Sequence, residues 1–139
     1  MKLSTMAAVM TFVTKLEESS AAFYETQAKT HPARMDTFLS WAKENRKFES
    51  TVKRTYFGVI TDTLESNFSF QGLDDEDYQL NLPDTVAPQD IEKRARAMEE
   101  TIRRFYLDAG KRCEGLMADI PRLFNKIARN RERRLTLLD

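Results

Sequence analysis

Glu17 and Tyr24 stand seven residues apart, and so do Glu99 and Tyr106. Seven residues are close to two helical turns, so each carboxylate shares a helix face with a phenol. The segments around them repeat. Residues 16–24 read Leu-Glu-Glu-Ser-Ser-Ala-Ala-Phe-Tyr and residues 98–106 read Met-Glu-Glu-Thr-Ile-Arg-Arg-Phe-Tyr, at a constant offset of 82. A carboxylate near the apolar side of a helix costs free energy unless something pairs with it. Three arrangements satisfy Glu17 and Glu99: boundary carboxylates in surface helix pairs, a metal-free buried polar network, or metal ligation. Tyr24 and Tyr106 read as core aromatics, each with one hydrogen bond.

A second pair of segments follows the first. Ala42-Lys43-Glu44-Asn45-Arg46 is echoed by Ile127-Ala128-Arg129-Asn130-Arg131, with the Asn-Arg steps 85 apart. Four helices must carry these residues. Ser4 or Thr5 can cap the first, expected over 4–30 with Met6, Met10, Val13, Phe23 and Ala28 inside. His31-Pro32 breaks it. The second, over 33–60, has a sharp stripe of Phe38, Trp41, Asn45, Phe48, Val52, Tyr56 and Val59, which sets Asn45 in the middle of an apolar face. The third, over 89–115, shows Ile91, Ala95, Met98, Ile102, Phe105 and Ala109. The fourth, over 120–138, opens at Asp119 with Pro121 in its first turn. Its expected inner side is Ile120, Leu123, Phe124, Ile127, Asn130 and Leu138.

Between the pairs the periodicity fails. Residues 61–89 hold Gly72, Pro83, Pro88 and the run Asp74-Asp75-Glu76-Asp77, an acidic crossover. Its Tyr78, Leu80 and Leu82 are expected to pack across the bundle. The 139 residues thus form one all-α domain of two helical hairpins, 4–60 and 90–138, joined by a long connection. Short turns make neighbours antiparallel, and one long crossover is a ferritin-like connection.

The Glu-x5-Phe-Tyr segments resemble helices one and three of rubrerythrin-like proteins of the ferritin-like superfamily. Residues 38–48 and 123–133 resemble helices two and four. The likeness covers nearly the whole chain apart from the crossover. It implies a four-helix bundle, a homodimer, and a di-iron centre with one Glu from each of helices one and three and a Glu-x-x-His from each of the others. Aligned by the repeat, those Glu positions fall on Asn45 and Asn130, and the His positions on Phe48 and Arg133. The ancestral metal positions are therefore Glu17, Asn45, Phe48, Glu99, Asn130 and Arg133, supported by Tyr24, Tyr106 and Arg131. Glu44 lies about 100° round the helix from Asn45 and does not replace a ligand. Two carboxylates, two amides, a phenyl ring and a guanidinium suit iron poorly. No metal is expected; Glu17 and Glu99 are the candidates if one binds. Arg133 is expected to supply the missing positive charge, with Arg131 as second candidate and Asn45 and Asn130 donating amide hydrogen bonds.

Composition narrows the rest. Twenty-two basic and 22 acidic side chains cancel, so charge names no polyanionic partner. The single Cys113 excludes an intramolecular disulfide and the Cys-based zinc frameworks, and reads as a buried thiol on the third helix. No apolar run approaches 18 residues, so no membrane span or membrane partner is expected. The first thirteen residues read as a helix start and the cytoplasm as the location. Arg129, Arg131, Arg133 and Arg134 read as a solvated final turn. The leading reading is a ferritin-like bundle that has lost its di-iron centre: a non-enzymatic scaffold or small-ligand binder that uses the old metal cavity and holds no cofactor. One rival is a di-metal carboxylate oxidoreductase for peroxide or oxygen with iron on unusual ligands. Another is nucleic-acid or phosphate binding through the arginine cluster, although no aromatic interleaving supports a nucleic-acid partner.

Overall fold

The computed structural model describes residues 2–63, 72–83, 85–114 and 119–138, with backbone alone over 59–63. The side chain of Val59, and residues 64–71, 84 and 115–118, lie outside the described residues. Four long helices form: α1 (Met6–Thr30), α2 (Met35–Thr63), α3 (Ile91–Cys113) and α4 (Asp119–Leu137). No strand occurs among the described residues; Lys2 and Asp74 form an isolated bridge. No described helix is long and apolar enough to cross a membrane.

Local chemistry sets the helix ends. Thr5 caps α1, its Oγ1 accepting from the Ala8 amide at 3.1 Å. At the other end Pro32 pushes His31 out of the helical region, and Pro32–Arg34 form a short 3-10 turn. His31 Nδ1 donates to the Gln27 carbonyl at 2.9 Å, satisfying an acceptor of the last turn. In α3, Glu92 in the first turn and Lys111 and Arg112 in the last complement the helix dipole.

The expected stripes of α1 and α3 are buried throughout. In α2, Phe38, Trp41, Asn45, Val52 and Tyr56 are buried and Phe48 is half-buried. In α4 the inner side differs from expectation. Ile120, Phe124, Ile127, Arg131, Arg134 and Leu138 are buried, while Leu123 and Asn130 are only half-buried.

Each hairpin packs on itself, α1 with α2 and α3 with α4, and the hairpins meet through α1–α3 and α2–α4. Two cross-bundle pairs give the direction of the first seam. Tyr106 reaches Glu17 and Tyr24 reaches Glu99, so α1 and α3 are antiparallel. Then α2 and α3 run parallel, and the connection between them must return along the bundle.

The described part of that connection is held firmly. Tyr78, the last residue of a 3-10 turn (Asp75–Tyr78), is buried. Its ring meets Phe105 edge-on at 5.2 Å, and its hydroxyl donates to Asp108 at 2.6 Å. Arg104 lies over the same ring at 5.0 Å and donates to the Asp77 carbonyl at 2.8 Å. The Leu3 amide donates to the Leu73 carbonyl at 3.0 Å. Gly72 has φ 99°, a left-handed conformation that side chains rarely adopt, so the backbone there favours glycine. Leu80 and Leu82 pack half-buried against the core.

Tyr78 therefore anchors the crossover. Tyr78→Ala should destabilise the fold by about 3 kcal/mol, from lost ring burial and a stranded Asp108. Tyr78→Phe should cost about 1 kcal/mol. Urea denaturation measures both, and near-equal losses would show that the ring is not the anchor.

Candidate functional site

Four charged side chains meet in the centre of the bundle. Glu17 and Glu99 are 0% exposed, Arg131 is 0% and Arg134 1%. Charge at this depth survives only when it is paired and its hydrogen-bonding capacity is used.

Arg131 lies between the two carboxylates. Its Nη1 donates to both oxygens of Glu99, at 2.8 and 3.0 Å. Its Nη2 donates to Glu17 Oε1 and, at 3.4 Å, to Ser20 Oγ. Arg134 braces the same group: its Nη1 donates to Glu99 Oε1 at 3.0 Å. Its Nη2 reaches the Trp41 carbonyl at 3.3 Å and Glu44 at 2.6 Å. The phenols complete the shell crosswise. Tyr24 donates to Glu99 at 2.6 Å, and Tyr106 to Glu17 at 2.8 Å. Each copy of the repeat thus satisfies the carboxylate of the other.

Aromatic faces enclose the cations. Arg134 lies 5.2 Å from the Trp41 ring centre and 5.8 Å from that of Tyr24, and both arginines lie 5.9 Å from that of Phe48. Asn45 is fully buried and donates to Ser20 Oγ at 2.9 Å. Ser20 in turn donates to the Glu17 carbonyl at 3.2 Å. Asn45 Oδ1 and the Nε atoms of Arg131 and Arg134 have no partner among the described residues.

The two carboxylates differ in their electrostatics. Burial pushes Glu17 above the usual carboxyl range, and its share of Arg131 and the Tyr106 hydrogen bond do not fully offset this. Glu99 meets the same burial, but Arg131, Arg134 and Tyr24 together outweigh it and hold Glu99 below that range. Burial and the adjacent carboxylates raise Tyr24 and Tyr106 well above an ordinary phenol. For Arg131 the two carboxylates outweigh burial and hold it charged.

Several expected placements need correction. Arg133 is exposed and takes no part; Arg131, the second candidate, holds both carboxylates, and Arg134 joins it. The cause is the register of α4. Its inner positions run 120, 124, 127, 131, 134 and 138, so the residue matching Asn45 is Arg131, and Arg134 matches Phe48, both at an offset of 86. The i, i+3 spacing of Glu-x-x-His therefore falls on Arg131-x-x-Arg134. Asn130 is half-buried and donates to Glu44 at 3.4 Å, so it does not serve Glu17 or Glu99. Asn45 is buried, but its amide serves Ser20 and not a carboxylate. The arginine cluster is not a solvated turn: Arg129 and Arg133 are exposed, while Arg131 and Arg134 are internal. Glu44, set aside by its angular position, takes part from the rim. Cys113 is buried, with Sγ 3.4 Å from Met6 Sδ.

These residues do not fit a di-iron centre. The donors of such a site are carboxylates and imidazoles with free lone pairs. Here both carboxylates are occupied by guanidinium and phenol protons, and two fixed cations would repel a metal dication. Among the described residues no group of three or more His, Cys, Asp or Glu side chains is placed to hold a metal. Two surface clefts occur among the described residues away from the cluster, neither of them lined by Glu17, Glu99, Arg131 or Arg134. No protein-family model matches the chain, and no curated protein or solved structure is significantly similar to it.

Two predictions follow from the geometry. Arg131→Met should destabilise the protein by about 3–5 kcal/mol, because it leaves two buried carboxylates short of a cation. Arg133→Ala should change stability by no more than about 0.5 kcal/mol. Urea unfolding of the pair reads the register of α4 directly. The second prediction concerns pH. The raised Glu17 contributes stability that is present below the ordinary carboxyl value of 4.5 and lost as pH rises through its folded value. The lowered Glu99 contributes stability present above 4.5 and lost as pH falls through its folded value. Glu17→Gln should therefore flatten the stability profile above pH 4.5, and Glu99→Gln should flatten it below. At pH 7 the Glu99 variant should be the less stable of the two. Equal profiles for both variants would refute the asymmetry.

Proposed function

We propose that this chain is a ferritin-like bundle of rubrerythrin type in which an arginine–carboxylate cluster has replaced the di-iron centre. It works without a metal, as a non-enzymatic scaffold or small-ligand binder of the cytoplasm, and as a homodimer. The observation that carries the reading is Arg131 bound to Glu17 and Glu99 at once. The spacing adds to it. Asn45-x-x-Phe48 and Arg131-x-x-Arg134 both keep the i, i+3 interval of Glu-x-x-His, on the two helices where that motif belongs.

The cluster also weighs against redox or acid–base catalysis. Its phenols hold their protons well above neutral pH, and its four charges are sealed from solvent. A scaffold role suits such an interior, since buried ion pairs and hydrogen bonds that join all four helices favour one packing of the bundle. If a ligand is bound, it binds outside the former metal cavity, which the two guanidinium groups fill. The rival reading as a nucleic-acid binder loses half of its arginines to the core.

Iron loading tests the proposal. After aerobic exposure to ferrous iron and desalting, elemental analysis should find well under one iron per chain. A di-iron bundle of this type would hold about two. Finding two, together with an oxo-bridge absorption band, would restore the oxidoreductase reading.

A further inference from the structure

A cleft of about 370 Å³ lies on the outer side of α1, walled by residues 78–83 of the crossover. That volume falls at the lower end of small-molecule sites, which run roughly 300–1,000 Å³. Phe12, Leu16, Phe23, Leu80 and Leu82 supply the apolar part of its lining. Lys15 is the only charged residue in that lining. It is exposed and has no ion-pair partner among the described residues. Hydroxyl and amide groups of Ser19, Thr26, Gln79 and Asn81 also face the cleft. Asn81 holds a left-handed backbone at φ 50°, which asparagine adopts more readily than most residues, and this turns the crossover along the cleft.

We propose that this cleft binds a small organic monoanion, with one carboxylate paired to Lys15 and an apolar body laid along Phe12, Phe23 and Leu80. The charge class follows from the lining. Lys15 is the one charged side chain in the lining, where no acidic group offsets it, and a single ammonium matches a single negative charge. A phosphate-sized dianion would call for a forked guanidinium or a second cation, and Lys15 is the only charged side chain in the lining. The apolar part of the lining sets the other half of the ligand, because hydrocarbon laid against it is removed from water. Bound there, the ligand bridges α1 and the crossover. The inference rests on the small-ligand arm of the proposed function. It is separable from the loss of the metal, because iron loading reads the interior and ligand titration reads the cleft.

The test uses the full chain, labelled with 15N and titrated with octanoate, octan-1-ol and octylammonium. Octanoate should cause saturable amide shifts confined to residues 12–27, 78–83 and their packing neighbours. Octanol should bind at least about tenfold more weakly, and octylammonium should not compete. Lys15→Met should weaken octanoate about tenfold and leave its weak affinity for octanol unchanged. Ala22→Trp, which places a large ring in the cleft wall from an exposed position, should abolish both. Melting temperatures of the two variants check that they remain folded; if the Trp variant does not, the Lys15 variant decides alone. Octanoate shifts mapping elsewhere, no saturation by about 10 mM, or equal affinities for octanoate and octanol would overturn the proposal.

Discussion

Two carboxylates cannot be buried side by side unless a cation is buried with them. Arg131 is that cation, and the rest of the interior is arranged around its guanidinium. Its donors hold an oxygen on each of two helices, so it fixes the distance between α1 and α3 from a third helix. Arg134 and Glu44 extend the pairing to the rim, where α4 meets α2. Tyr24 and Tyr106 add a phenol hydrogen bond to Glu99 and Glu17 respectively, each from the other copy of the repeat. Ser20 on α1 and Asn45 on α2 join α2 to the same network. Without the central charge, each of these contacts would surround an anion in a medium that rejects it.

Much of this was legible in the sequence. The stripes of α1, α2 and α3 are made of large apolar residues at steps of three and four, and such stripes bury. The 82-residue repeat placed Glu17 and Glu99 at equivalent positions, and the antiparallel seam then brings each beside the phenol of the other copy. Asn45 stood among aromatics and had nowhere to go but inward. The register of α4 was harder. Its inner stripe continues past Ile127 through Arg131 and Arg134, and an apolar count stops where the arginines begin. Arginine ordinarily carries its charge outward on a long stem. The match of Asn130-Arg131 to Asn45-Arg46 pointed to an offset of 85, but packing uses 86. The signal that separates the two is the unbroken alternation of steps from Ile120 to Leu138.

The crossover was legible in part. Tyr78, Leu80 and Leu82 were recognisable as apolar residues in an otherwise acidic stretch. Their partners were not, because Phe12, Phe105 and Asp108 lie far away in sequence on two different helices. The cleft beside Lys15 has the same origin. It exists only because a loop from the middle of the chain lies along the outer side of the first helix, and no local pattern in either segment encodes that meeting.

The buried charges are shared unequally between the two hairpins. The first hairpin contributes Glu17 and no internal arginine, while the second contributes Glu99, Arg131 and Arg134. Two copies of the first hairpin, docked on each other in the same way, would enclose two carboxylates and no guanidinium. Two copies of the second would enclose two carboxylates and four guanidinium groups. Only the mixed pairing comes to zero. The repeat makes the halves alike in shape, so shape alone would let either half accept its own kind. Electrostatics removes that freedom: each hairpin rejects itself and accepts the other. A bundle built from two similar halves is thereby protected against exchange between neighbouring chains that would pair like with like, and the residues that enforce the choice are sealed where solvent and salt cannot weaken it.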